Sequence, residues 1–167
     1  MAEKEIQFSS SVKYDGIFLF KDFYKFCYDW LNDETRLNIS EDKYKEKLKG
    51  NSKELDIKWT GTKEVTDYFK FEIKVDFEIK DLINIEVKKG EAKIQTNKGS
   101  VQAKVKGTLI RDYQGKFERT AFQKFLRSIY EKWVIPSRIE QFEDKLIEEC
   151  DEFLSQAKAW LDLEGRK

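Results

Sequence analysis

The chain has 167 residues, enough for one domain with a proper core and too few for two comfortable ones, so a single domain over residues 1–167 is expected. Charged residues make up 38% and balance at 32 basic against 32 acidic, while thirteen Phe, seven Tyr and four Trp supply apolar bulk that a disordered chain lacks. Histidine is absent, which excludes histidine triads, imidazole acid–base pairs and imidazole metal sites.

Ile6, Phe8, Ser10 and Val12 alternate with Glu5, Gln7, Ser9, Ser11 and Lys13, the period of a first strand. Tyr14-Asp15-Gly16 breaks that period, and Asp15 is placed to cap a helix running from Gly16 to Asn32. In that helix Phe20, Phe23, Cys27, Trp30 and Leu31 form a broad aromatic face suited to core packing. From Ser40 to Lys49 the signals compete: Ser40 before Glu41 and Asp42, with Gly50 beyond the end, suits a helix, whereas Tyr44, Glu46 and Leu48 alternate as in an edge strand. A Gly50-Asn51-Ser52 turn into the alternating Leu55, Ile57 and Trp59 tips the reading to strand.

The plainest stretch is Asp67 to Lys80. Phe69, Phe71, Ile73, Val75, Phe77 and Ile79 hold the odd positions, and Lys70, Glu72, Lys74, Asp76, Glu78 and Lys80 the even ones. Alternate side chains of a strand point to opposite faces, so one face is apolar and the other charged; such a strand is half-buried and antiparallel. Ile83, Ile85 and Val87, a Lys89-Gly90 turn, Ala92, Ile94 and Thr96, an Asn97-Lys98-Gly99 turn, and Val101, Ala103, Val105 and Leu109 then predict a meander of short hairpins. After Asp112-Tyr113-Gln114-Gly115, Phe117, Ala121, Phe125, Ile129 and Trp133 step by four along a helix, Lys116 to Trp133, that Pro136 stops. Ser137 and Glu140 have the form of a capping box, and Ile139, Phe142, Leu146, Cys150, Phe153, Ala157 and Trp160 mark a long last helix. The expected fold class is α+β: an antiparallel meander of five to six strands with one polar face, the other covered by three helices including the long C-terminal one.

Little in this pattern carries chemistry. Cys27 and Cys150 sit in apolar helical patterns and read as buried free thiols; neither a zinc motif nor a phosphate-cradling glycine loop occurs. Carboxylate pairs such as Glu148 with Glu149, or Glu41 with Asp42, read as surface charge, and Arg111 with Asp112 as a structural pair at the sheet's end. No catalytic residue, metal or cofactor is predicted. No apolar run approaches the roughly 20 residues of a membrane span, and the charged start MAEKE lacks the layout of a signal peptide, so no span and a cytoplasmic location are expected. Segmental charge is uneven, with nets of −4 to Val87, +8 from Lys88 to Trp133 and −4 thereafter. The basic block suits an anion surface or a pairing with the acidic last helix; because the aromatics fall on the buried phase of each strand, no specific nucleic-acid site is expected.

The order strand, helix, antiparallel strands, long C-terminal helix resembles that of helix-grip (START-like) domains over nearly the whole chain. KWTGTKEVTDYFKFEI and FLRSIYEKWVIPSRIEQFE also look like stretches of small archaeal proteins without a known activity. The helix-grip resemblance implies a sheet curved around the long helix and an apolar ligand between them, lined by Phe71, Ile73, Phe125, Leu146 and Phe153. The chain departs from that pattern in having one long helix after the first strand and an extra helix before the last, bulk that could fill such a cavity. The reading that follows is a non-enzymatic interaction or structural module with a protein partner or self-association; a carrier of a lipid or other apolar ligand is the alternative.

Overall fold

The computed structural model describes residues 3–113, 120–129, 132 and 136–166. Five antiparallel strands, β1 (Glu3–Ile17), β2 (Asn38–Lys49), β3 (Ser52–Glu64), β4 (Phe69–Lys89) and β5 (Ala92–Arg111), form one open sheet in the order β1-β5-β4-β3-β2. Helix α1 (Phe20–Asp33) follows β1, and α2 (Ala121–Ile129) and α3 (Pro136–Arg166) follow β5. The ambiguous segment is thus a strand, β2, along the sheet's edge. Pro136 opens α3, where its missing N–H costs nothing; Phe117, Trp133 and the side chain of Ser137 lie outside the described residues.

β4 is paired on both sides and its two faces separate as its sequence requires. Phe69, Phe71, Ile73, Val75, Phe77 and Ile79 are buried, whereas Lys74 and Lys80 are exposed and the other charged positions half-buried. Those half-buried charges stand in a lattice of weak cross-strand ion pairs, Lys58–Asp76 at 3.9 Å and Lys104–Glu78 at 4.0 Å among them. At such distances and exposures each contributes about 1 kcal/mol or less.

The apolar face is shared between two helices. α1 brings Phe23 onto Phe77, with ring centroids 5.7 Å apart, and Tyr24 and Tyr28 onto Trp59 of β3 at 5.2 and 5.7 Å. α3 lies over β1 and β5 and buries Leu146, Cys150, Phe153, Leu154, Ala157 and Leu161, the spacing of one helical face. The two helices meet through Trp160, stacked on Phe26 at 5.8 Å, and through Trp30 against Phe153 at 5.7 Å. Gly107 sets the approach of α3: a Cβ there would lie 2.7 Å from Cys150 Sγ, so only a residue without a side chain lets the helix sit so low on β5.

Several sequence signals for turns prove to be devices inside long strands. β1 runs on through Tyr14 to Ile17, so Asp15 caps nothing; α1 begins after Leu19 without a side-chain cap, and Asn97 Oδ1, from β5, accepts the Phe20 N–H at 3.1 Å. Asn97-Lys98-Gly99 is therefore no turn but mid-strand. Gly99 faces a bulge between Lys80 and Ile83 in β4, where Asp81 takes a positive φ of 54°; a Cβ on Gly99 would lie 3.1 Å from both Lys80 O and Leu82 Cα. The meander's last two hairpins are consequently one, with strands of 21 and 20 residues, whose distal part from Ile83 to Thr96 is half-buried or exposed.

Phe71→Ala or Phe77→Ala should cost about 3–5 kcal/mol in equilibrium denaturation, and Lys74→Ala under about 0.5 kcal/mol. Gly107→Ala should cost about 1–3 kcal/mol by overpacking, and less when Cys150→Ala has already removed the sulfur it strikes. Additive effects in that double-mutant cycle would show that the close approach of α3 is not set at Gly107.

Candidate functional site

In the interlayer space, Phe71, Ile73, Leu146 and Phe153 share one core cluster at 0–1% exposure. Phe125, the fifth residue expected there, does not: it lies on α2 and is 59% exposed. The reason is that α1 and α3 already cover the apolar face, leaving α2 no part of it to bury.

α2 is a well-formed helix whose amphipathicity is turned outward. Thr120 caps it, its Oγ1 accepting the Gln123 N–H at 3.1 Å. Phe122, Phe125, Leu126 and Ile129 fall at i, i+3, i+4 and i+7, one stripe about 100° wide. None of the four is buried; Phe122 is 67% exposed, and Gln123 and Arg127 on the opposite edge are the half-buried residues. A surface helix ordinarily keeps its apolar stripe against the core. Over Ala121–Ile129 the spacing by four is helical as expected, but such spacing holds no information on which way the stripe points.

At the C-terminal end of α1, Lys63 of β3 reaches inward over the Phe71 ring, 5.5 Å from its centroid, and its Nζ donates to Glu149 Oε1 and to Thr35 O, each at 2.9 Å. Glu149 is half-buried, unlike the exposed Glu148, so that pair is not simply surface charge. The ammonium ties β3, α1 and α3 together, a structural clamp that the alternation of β3 could not reveal, since it places a lysine on the core face. Arg111 plays a similar part at the other side, bonded to Glu5 of β1 at 2.7 Å and to Glu143 of α3 at 3.3 Å, while Asp112 beside it is buried.

Near the start of α1, Tyr24 donates its hydroxyl to Glu41 Oε2, and Trp59 Nε1 donates to the same oxygen at 3.1 Å. Burial first, then the hydrogen bond to the Glu41 carboxylate, push the Tyr24 phenol up to about 12. Cys27 and Cys150 are free and buried, and burial raises both thiols, Cys150 to about 12, which keeps them protonated and unreactive. Among the described residues no cluster of three or more Cys, Asp or Glu side chains could hold a metal ion, and no helix is long and apolar enough to cross a membrane. The chain matches no protein-family model, no curated protein and no solved structure.

Tyr24 gives the fold an alkaline limit. Its folded-state pKa of about 12 lies above the ordinary 10, so between those values the folded chain holds a proton that the unfolded chain has lost. The corresponding stability is fully present below about pH 10 and is lost as pH rises through about 12. Tyr24→Phe should flatten the fall in denaturation midpoint across that window, without abolishing it, because burial raises Tyr14 and Tyr44 as well. An unchanged slope would mean that burial and Glu41 do not raise the Tyr24 phenol in the folded chain.

Proposed function

We propose that this chain is a non-enzymatic interaction module that docks a protein partner through the outward apolar stripe of α2. The observation that carries this reading is the exposure of Phe122, Phe125, Leu126 and Ile129 together on one face. Their i, i+3, i+4, i+7 spacing is that of the anchors with which an amphipathic helix fills a hydrophobic groove. Exposed singly such residues mean little; four in one contiguous stripe, on a helix whose polar edge is the less exposed one, form a surface that water penalises until something covers it. The partner's groove is apolar, with an acidic rim that would suit Lys124 of α2 and the basic block around it. A reducing, cytoplasmic setting accords with the two free buried thiols.

The alternative, a carrier of an apolar ligand between sheet and α3, has less support. Its proposed lining is either packed to 0–1% exposure or, at Phe125, on the outer surface, and the space at Gly107 is closed by Cys150.

A Phe122→Ser, Phe125→Ser double variant tests the reading. It should leave the thermal midpoint within a degree or two of wild type, on the order of 0.5 kcal/mol, since no core contact is lost. In native extracts fractionated by size, the wild-type chain should travel in a heavier complex and the variant as the free chain. A large loss of stability would show that the stripe packs within the chain, and identical elution of the two would remove α2 as the docking element.

A further inference from the structure

Beside the start of α1, Phe20, Tyr24 and Tyr44 wall an open pocket of about 430 Å³, with Glu41 and Lys21 completing its lining. The three rings are mutually arranged rather than stacked flat: Phe20 and Tyr24 lie 6.0 Å apart at 56°, and Tyr24 and Tyr44 6.2 Å apart at 79°. Neither pair is stacked flat, and all three rings contribute surface to the pocket's lining. Tyr44 is 46% exposed although it is aromatic, and it sits on the edge strand β2, where nothing in the fold requires a ring.

Glu41 supplies the charge. Its Oε2 accepts from two neutral donors, the Tyr24 hydroxyl and the Trp59 indole N–H, which hold the carboxylate in one orientation without neutralising it. Among the described residues no ammonium or guanidinium lies within ion-pair distance of Glu41, although neighbouring carboxylates on these strands, Glu46, Glu54 and Asp56, each have a lysine at 2.6–2.9 Å. Lys21 borders the same pocket without reaching Glu41. The Phe20 N–H, at the electropositive start of α1, is already taken by Asn97 Oδ1, which lines the adjoining cleft rather than this pocket.

An oriented carboxylate with no ion-pair partner, in a pocket lined by three aromatic rings, is the recognition chemistry of an organic cation: ring quadrupoles attract positive charge, and the rings' hydrocarbon surface takes the methyl groups that a hydrated metal ion or bare ammonium lacks. We propose that the pocket formed by Phe20, Tyr24, Tyr44 and Glu41 binds a methylated ammonium group. Such a group could belong to a free quaternary amine or to a methylated lysine side chain of a protein. This site is separate from α2, and neither depends on the other.

The test is a titration of the full chain followed by proton–nitrogen NMR, reading the Trp59 indole N–H, which reports directly on Glu41. The titrants are tetramethylammonium chloride, sodium chloride at matched ionic strength, and a short peptide carrying trimethyllysine with its unmethylated counterpart. Tetramethylammonium should shift the signal saturably and sodium should not. Glu41→Gln and Tyr44→Ala should each weaken binding by about tenfold, Tyr44→Phe should retain it because the ring face remains, and Lys21→Met should strengthen it by removing a competing charge. The three substituted positions, Lys21, Glu41 and Tyr44, are exposed, so the variants test the site without dismantling the core. Tighter binding of the trimethyllysine peptide than of tetramethylammonium would assign the cation to a protein side chain; equal or weaker binding would assign it to a free amine. The proposal is overturned by a shift that does not saturate, by equal binding of the unmethylated peptide, or by Glu41→Gln binding as wild type does.

Discussion

Everything in this fold answers to the need to keep the odd row of β4 dry. Six large apolar side chains in line, with charges on the opposite face, cannot be satisfied by strand pairing alone, and a single helix is too narrow to cover a five-stranded sheet. The solution is a cover of two helices laid side by side. α1 takes the β3–β4 half through Phe23, Tyr24 and Tyr28, and α3 takes the β5–β1 half, lowered onto β5 by the missing side chain of Gly107. The aromatic seam of Phe26, Trp30, Phe153 and Trp160 closes the joint between them. Once that cover is complete the apolar face of the sheet is taken, and among the described residues the apolar stripe of α2 stays exposed.

How far this was legible in the sequence follows from the range of each signal. Alternation and helical spacing are local; they gave the α+β class, the antiparallel sheet, its three helices and the buried phase of β4, but not where β1 ends or that Ile83 to Leu109 belongs to one long hairpin. Turn chemistry is local in form but not in meaning. Asn97 and Gly99 look like a hairpin turn, yet Asn97 accepts the first N–H of α1 on its Oδ1 and donates its Nδ2 to Asn84 Oδ1, and Gly99 makes room for the β4 bulge. Gly61 likewise sits mid-strand beneath Leu37, whose Cδ1 would lie 3.1 Å from a Cβ there. Each is a demand imposed by a partner distant in sequence, and no window of neighbouring residues contains it.

The same limit explains Phe125. The periodicity of α2 states that it has an apolar face and is silent on whether the core has room for it. That depends on the summed coverage by α1 and α3, a property of the whole chain. The pocket at Glu41 was illegible for a related reason: Glu41 beside Asp42 has the look of solvated surface charge, and it is distinguished only by Tyr24 and Trp59, which arrive from α1 and β3 to hold one of its oxygens.

Of the sheet's two open edges, β1 and β2, the second bears on which of these surfaces can meet another molecule. β2 offers its outer backbone to solvent, and an unpaired strand edge invites addition of a further strand. Here Lys43, Lys45, Lys47 and Lys49 recur at every second position, and a bulge between Glu41 and Lys43 interrupts the register. A strand added beside them would have to bring its own backbone into a row of four ammonium groups across an irregular ladder, which disfavours pairing with a second copy of the same lysine-rich strand most of all. With β2 guarded in this way, the two surfaces proposed for recognition are ones that work through side chains and do not need that edge's backbone: the outward stripe of α2, and the carboxylate of Glu41 beside Tyr44.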